Sequence, residues 1–161
     1  FGAGIDFGSG HSDGNAISQG RDIKIFTGGA VLFSRAFLES TGGFDERYFL
    51  YYEDVDLALR GAELGHRYRC EPSSTVWHEG GASTSALGDE TRRLQERNRL
   101  WCAVRFASFP VIGRATWLSI RRVRHPPRVV HARALGAGYS AVLRLARARQ
   151  QARRRVQGAS S

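Results

Sequence analysis

All acidic side chains of this chain lie before residue 97, and this one-sided charge distribution is the strongest constraint that the sequence places on its fold. Residues 1–96 contain fifteen acidic and nine basic residues, whereas residues 97–161 contain fifteen arginines and no acid. We therefore expect a mildly acidic globular part followed by a basic arm. Such an asymmetry is typical of proteins that contact a polyanion, namely a nucleic acid, an anionic membrane face or a phosphorylated substrate.

The composition fits an ordinary globular protein. Apolar residues make up 42% and charged residues 24% of the 161 positions, which excludes disordered and collagen-like classes. Arginines interrupt each apolar stretch well short of the ~18 residues that a membrane span needs. Cys70 and Cys102 are too few for a disulfide framework and also lack the spacing of metal ligands, which favours a reducing compartment. Because the sequence begins with Phe1 and contains no methionine, we expect it to be part of a longer reading frame.

Glycines and prolines divide the sequence into short elements. The apolar runs at 23–26 and 30–33 flank a tight turn at Thr27-Gly28-Gly29, and both are expected to be strands. Further strands are expected at 68–70 and 75–77. Helical spacing predicts helices at 35–40, from Glu53 to 64 with Gly65 as C-terminal cap, at about 89–110, 111–124 and, after two prolines, 128–156.

Three carboxylates enter the predicted helix that begins at Glu53, and they allow two interpretations. As structural residues, Glu53, Asp54 and Asp56 would stabilise the helix dipole by roughly 0.3–1 kcal/mol each, and Asp56 would pair with Arg60 one turn later. As functional residues, Glu53 and Asp54 point about 100° apart on a helix, so one can face a cleft while the other packs. The sequence alone leaves both interpretations open.

His78 follows an apolar run and precedes two glycines. A histidine in this position is commonly a hydrogen-bonded structural residue. If His78 lies close to Asp54 in space, the pair would instead supply a metal ligand and a base.

Four ordered blocks carry a resemblance to a known family. They are TGGAVLFSR at 27–35, GGFDE at 42–46, FLYYEDVDLALR at 49–60 and WHEGGAS at 77–83. Together they resemble the second half of the catalytic domain of family 2 glycosyltransferases, and in particular bacterial rhamnosyl- and galactofuranosyl-transferase-like members. The resemblance implies an α/β fold, the C-terminal, acceptor-side part of a GT-A nucleotide-diphospho-sugar transferase at 1–108, followed by a basic helical extension at 109–161.

The resemblance also implies roles for individual residues. The acidic pair Glu53 and Asp54 would be catalytic, with Asp54 as the general base, and His78 would help to hold Mg²⁺ or Mn²⁺. The substrates would be bordered by Gly28, Gly29 and Trp77. The implied reaction is inverting, metal-dependent transfer of one sugar from a nucleotide-sugar donor to a glycan or lipid-linked acceptor.

Two departures from the family pattern refine this expectation. The nucleotide-binding half would precede Phe1, so the 161 residues are expected to be a fragment that is inactive alone. The stretch at 95–101 does not match the Gln-x-x-Arg-Trp spacing of processive synthases, which favours addition of a single sugar. We expect a role in bacterial cell-wall or polysaccharide biosynthesis, in the cytoplasm or peripherally on the inner face of the plasma membrane.

The basic arm allows three interpretations. Tyr139, Val142, Leu143 and Ala146 form an apolar face on the predicted last helix, and the charge run behind them ends in three arginines at 153–155. The arm could be a solvated helix or could dock on an anionic membrane. Nucleic acid is disfavoured because no aromatic residue follows Tyr139. The alternative to an enzyme is a non-catalytic anion-binding module that attaches to nucleic acid or membrane through this arm.

Overall fold

A computed structural model describes residues 20–77 and 87–142. That part contains one two-stranded antiparallel sheet and five α-helices, and two of the helices lie between the two strands in the sequence. The elements are β1 (Arg21–Ile23), α1 (Arg35–Thr41), a short 3-10 helix (Glu46–Tyr48), α2 (Glu53–Glu63), β2 (Tyr68–Cys70), α3 (Asp89–Phe106), α4 (Phe109–Val123) and α5 (Arg128–Ser140).

An aromatic cluster joins the sheet to α1 and α2. The strands pair in antiparallel register, with Ile23 opposite Tyr68. The ring of Phe26 lies 5.0 Å from that of Tyr68 and 6.3 Å from that of Phe37, both in edge-to-face contact. Leu57 of α2 is fully buried against this cluster. The sheet is short, so its stability depends on this packing rather than on two strands alone.

Local sequence signals set the ends of α1 and α2. Ser34 caps α1, since its hydroxyl accepts a hydrogen bond from the Phe37 amide. Gly42 ends α1 with a left-handed backbone at φ 75°. At the end of α2, the His66 amide donates to the Gly61 carbonyl across Gly65, whose φ of 87° favours glycine. The predicted helices at 35–40 and 53–64 and the predicted cap at Gly65 are therefore confirmed.

The helix α3 is the centre of the second half of the described structure. It packs most extensively on α5 and also on α4. Its consecutive residues Leu100 to Val104 are all buried, because α4 and α5 cover some of its faces and the loop before α2 covers another. A helix that is buried on several sides has an unbroken apolar run rather than a stripe.

Three predicted strands differ from the structure. Within the described residues, 30–33 and 75–77 are not part of a β-strand, so the prediction of strands there is wrong. The first strand occupies Arg21–Ile23 rather than 23–26. A strand requires a neighbour for its backbone hydrogen bonds, and an apolar run alone does not reveal whether one is available.

The predicted helices from 89 onward are confirmed within the described residues. Val142, expected on an outward apolar face, instead packs against the buried cluster that contains Trp101. Tyr139 is partly exposed, and its hydroxyl contacts that of Thr116 on α4. Leu143 and Ala146 lie outside the described residues. In the described part of the chain, every helix falls short of the length or the apolar character required to cross a bilayer.

A test of this packing uses two helical glycines in different surroundings. A methyl group on Gly61 would overlap the Tyr68 hydroxyl and the Phe37 ring, whereas at Gly136 no atom lies within 4 Å of the added group. Gly61→Ala is expected to destabilise the protein by about 1–3 kcal/mol. Gly136→Ala should stabilise it by about 0.4–1 kcal/mol, because alanine has less backbone freedom to lose. Chemical denaturation measures both, and equal effects would contradict the close approach at Gly61.

Candidate functional site

Asp54 is held against a glycine turn that is distant in sequence. The Gly28 amide donates a hydrogen bond of 2.8 Å to Asp54 Oδ2, across 26 residues. The other carboxylate oxygen, Oδ1, accepts the Val55 amide at 2.7 Å. A Cβ on Gly28 would lie 3.4 Å from the Asp54 Cβ and 3.7 Å from its Oδ2, so the glycine turn lies directly against the aspartate. The structure therefore brings together two of the predicted site residues, Gly28 and Asp54.

The loop that leads into Asp54 has an unusual backbone. Phe49, Tyr51 and Tyr52 have φ values of 64°, 67° and 68°, in the left-handed region that aromatic side chains rarely adopt. Tyr52 is the residue before α2, and its side chain makes no capping hydrogen bond. Left-handed residues of this type persist only where their surroundings hold them, and they are concentrated at functional sites.

Asn98 of α3 contacts the backbone of this loop. Its side chain is fully buried on α3, and its amide nitrogen lies 3.0 Å from the carbonyl oxygen of Tyr48, 2.8 Å from that of Leu50 and 2.7 Å from that of Tyr51. The two N–H groups of this amide are thus shared among three backbone carbonyls between Tyr48 and Tyr51, so at least one of the contacts is bifurcated. Without the Asn98 amide the carbonyls of Leu50 and Tyr51 would lose a partner, whereas the Tyr48 carbonyl also accepts hydrogen bonds from the Leu50 amide and from Arg97.

Arg97 supports the same loop beside Asn98. Its Nη2 donates to the Tyr48 carbonyl at 2.9 Å, and its Nε donates to Asn98 Oδ1 at 2.8 Å. Its guanidinium also lies over the ring of Trp101, 4.3 Å from the ring centroid. Arg97 therefore orients the amide of Asn98 so that its nitrogen faces the loop.

Asp56 has a structural role. Its carboxylate is fully buried and accepts hydrogen bonds of 2.7 Å from Arg60 Nε and of 2.7 Å from Arg105 Nη1. The predicted pair of Asp56 and Arg60 is thus confirmed, and Arg60 also donates to the Gly43 carbonyl at 2.6 Å. These contacts fasten α2 to α3 and to the end of α1. Asp56 is fully buried, whereas Glu53 and Asp54 are partly exposed, so these two are the acids of this segment that a substrate can reach.

Glu53 lies in a different environment from Asp54. Its side chain is half-buried, and its Oε2 is buried without a hydrogen-bond partner among the described residues. Burial, with a smaller contribution from the Asp54 charge, raises the pKa of Glu53 above its ordinary value. The two adjacent acids thus differ: Asp54 accepts two backbone N–H groups, whereas Glu53 keeps an oxygen free.

The remaining predicted site residues are less defined. Gly29 is exposed beside Gly28, and Trp77 is 92% exposed at the end of the first described segment. His78 lies outside the described residues, so its predicted role as metal ligand stays a prediction. Within residues 20–77 and 87–142, no group of three or more histidine, cysteine or acidic side chains could hold a metal ion. The described residues therefore do not by themselves form a metal site.

Sequence reasoning missed Asn98 as part of the site. The stretch at 95–101 drew attention only because it departs from a known motif, yet it contains both Arg97 and Asn98. A usable signal was present: polar residues immediately precede the unbroken apolar run from Leu100 to Val104. A polar residue at a buried helical position has to find a hydrogen-bond partner.

The support of the loop by Asn98 can be tested by substitution. Asn98→Ala is expected to lower the free energy of unfolding by about 2–3 kcal/mol, because it leaves buried carbonyls unsatisfied. Asn98→Asp conserves the size but turns a donor into an acceptor, so it should be at least as destabilising. Gln95→Ala, an exposed position on the same helix, should change stability by less than about 0.5 kcal/mol. Near-normal stability of Asn98→Asp would contradict the proposed hydrogen bonds.

The raised pKa of Glu53 predicts a pH dependence of stability. Because folding disfavours the carboxylate form, ionised Glu53 destabilises the folded protein. This destabilisation of the folded protein is absent well below the ordinary pKa of 4.5. It grows as the pH rises through that value and is complete above the raised pKa of Glu53. Glu53→Gln should therefore gain stability over the unchanged protein as the pH rises from acidic to neutral. Thermal unfolding across this range measures the difference, and a constant difference would show that burial does not shift this group.

Comparison with known proteins gives a partial match. Over 64 residues, or 40% of this chain, the sequence is 41% identical to N-acetylglucosaminyl-diphospho-decaprenol L-rhamnosyltransferase of Mycobacterium tuberculosis, in strains CDC 1551 / Oshkosh and ATCC 25618 / H37Rv. The match covers 21% of each relative, so the chain spans about a fifth of their length. No family model matches the chain, and no solved structure matches it. Over these 64 residues the chain is therefore similar to part of a glycosyltransferase.

Proposed function

We propose that this chain contributes the acceptor-side part of the catalytic site of a GT-A glycosyltransferase that transfers a single sugar with inversion. The observation that carries the proposal is the Asp54 carboxylate, fixed by the Gly28 amide at the mouth of a left-handed loop. The partial similarity to a rhamnosyltransferase supports the same activity. A backbone arrangement that is costly to maintain is more easily explained by chemistry at Asp54 than by helix capping alone.

Asp54 would act as the general base. An acceptor hydroxyl is a weak nucleophile, and a carboxylate within hydrogen-bond reach can take its proton as the bond to the anomeric carbon forms. Each carboxylate oxygen can accept more than one hydrogen bond, so the Gly28 and Val55 amides leave room for the acceptor. Attack on the face opposite the leaving nucleotide inverts the anomeric centre. The two amide contacts would keep the carboxylate aimed at the incoming hydroxyl.

Glu53 would assist by binding. Its side chain is only partly buried and its pKa is raised, so its carboxyl group can exchange a hydrogen bond with a sugar hydroxyl at the acidic pair. The exposed Gly28 and Gly29 leave the backbone open to a substrate, and Trp77 offers an exposed ring on which a sugar can stack.

The substrates follow from the relatives. We propose a nucleotide-activated sugar as donor and a lipid-linked glycan as acceptor. The first compounds to test are nucleotide-activated L-rhamnose as donor and N-acetylglucosaminyl-diphospho-decaprenol as acceptor. A divalent metal, Mg²⁺ or Mn²⁺, remains part of the proposal through His78. When bound, such an ion would stabilise the charge of the departing diphosphate. Because the described residues do not assemble a metal site, none of the steps assigned to Asp54 and Glu53 depends on it.

A non-catalytic anion-binding module is the second candidate function. Its support is the exposed arginines of α4 and α5, Arg114, Arg121, Arg124, Arg128 and Arg133. This alternative leaves the left-handed loop and the contact between Gly28 and Asp54 without a role.

Substitution of Asp54 tests the proposed transfer. In the protein encoded by the complete reading frame, Asp54→Asn keeps the shape but removes the base, so sugar transfer should fall by at least ~10²-fold. Donor affinity should change little, because the base acts on the acceptor. Asp22→Asn is the matched control, since Asp22 is an exposed partner of Arg67 and such pairs contribute little. Transfer at the normal rate by Asp54→Asn would refute the assignment.

A further inference from the structure

The helix α4 has an exposed face that the proposed reaction does not use. Its inner face packs against α3 and α5 through Ala115 and Ser119, both buried. On the outer face, Phe109 is 86%, Trp117 54% and Ile120 40% exposed. At 100° per residue these three side chains lie within a sector of about 80°. The outer face therefore presents these three apolar side chains on one side of the helix.

Arginines surround this apolar sector. Arg114 and Arg121 lie along one edge of it, and Arg124 lies at its C-terminal end, all three exposed. Among the described residues, no ion pair joins Arg114, Arg121 or Arg124 to a carboxylate. The sequence has no acid after Glu96 that could neutralise them locally. The outer face of α4 thus combines uncovered aromatic and aliphatic groups with uncompensated positive charge.

We propose that the outer face of α4 docks on an anionic lipid surface, with Phe109, Trp117 and Ile120 entering the boundary between headgroups and acyl chains. Helices that lie in a membrane interface have this composition, with aromatic and aliphatic residues on one face and arginines beside them. Tryptophan prefers the headgroup level, and arginine side chains extend their charge toward phosphate while their stems cover apolar surface. The positive charge of the face complements anionic lipid, and insertion into the membrane interface removes its apolar side chains from water.

Nucleic acid fits this face less well, although it is also anionic. Bases could stack on Trp117 or Phe109, but a phosphate backbone offers no apolar region for Ile120. The membrane-binding face differs from the face of Tyr139 and Val142 expected from the sequence, because Val142 lies inside the helical cluster. The proposal rests on α4 alone and does not depend on sugar transfer.

Vesicle cosedimentation of the whole chain tests the proposal. At physiological salt, we expect binding to vesicles of phosphatidylcholine mixed equally with phosphatidylglycerol, and little binding to phosphatidylcholine alone. Phe109→Ser with Ile120→Ser should weaken binding by at least about tenfold, because it removes much of the apolar burial. Arg114→Gln and Arg121→Gln should each weaken it by about fivefold, and added salt should reduce that difference.

Matched controls separate docking from general effects of charge and hydrophobicity. Leu32→Ser removes an apolar side chain that is 99% exposed outside α4, and Arg35→Gln removes an exposed arginine from the acidic part. Both should bind vesicles as the unchanged chain does. Circular dichroism should show the same fold for every variant, since all the altered side chains are exposed.

Three results would overturn the proposal. The first is the absence of vesicle binding at physiological salt. The second is salt-sensitive binding to single-stranded or duplex nucleic acid that does not change in Ile120→Ser. The third is a stable dimer that becomes monomeric in the Phe109 and Ile120 variant, which would identify a second copy of the chain as the partner of this face.

Discussion

The contacts of the Asn98 amide nitrogen with three backbone carbonyls are the interaction on which the candidate site depends. The loop before α2 places three aromatic residues in left-handed conformations, each of which costs of order 1–3 kcal/mol. Asn98, buried on α3, gives the carbonyls of that loop their partners. The loop in turn fixes where α2 begins and hence where Glu53 and Asp54 point. A single amide on one helix thus orients the acids on another.

The uneven charge of the chain is used inside the fold as well as outside it. Arg105, from the arginine-rich part, reaches the buried carboxylate of Asp56, and Arg122 of α4 pairs with Glu96, the last acid of the sequence. Arg99 donates to Glu96 and to Ser119. Buried pairs of this kind contribute less net stability than their number suggests, but removing one partner is costly. They therefore define which surfaces of α2, α3 and α4 meet.

Arg114, Arg121 and Arg124, at the outer face of α4, form no ion pair with an acidic side chain among the described residues. This division explains why one sequence feature supports two roles. Arginines that face α2 and α3 hold the acidic part to the helices, whereas those on the outer face of α4 give that face a positive charge. The proposed catalytic acids and the proposed lipid-binding face thus depend on different residues, and each can be altered without removing the other.

The sequence by itself determined the local structure of this protein. Ser34, Gly42 and Gly65 set helix ends through their own backbone preferences, and the pair of Asp56 and Arg60 follows from helical spacing, because partners within one turn are encoded by nearby residues. The sequence also singled out Asp54 and Gly28 as candidates, but only through a resemblance.

Only the tertiary structure decided what these residues meet. It joined Gly28 to Asp54 across 26 residues and Asn98 to the loop carbonyls across 47 to 50 residues. Within the described residues it left 30–33 and 75–77 outside the sheet, and it packed the partly buried Val142 against the cluster that contains Trp101. Periodicity reports which face of an element is apolar, but it carries no information on which distant element covers that face. For a buried polar group such as Asn98, the neighbouring element determines which hydrogen bonds the side chain makes.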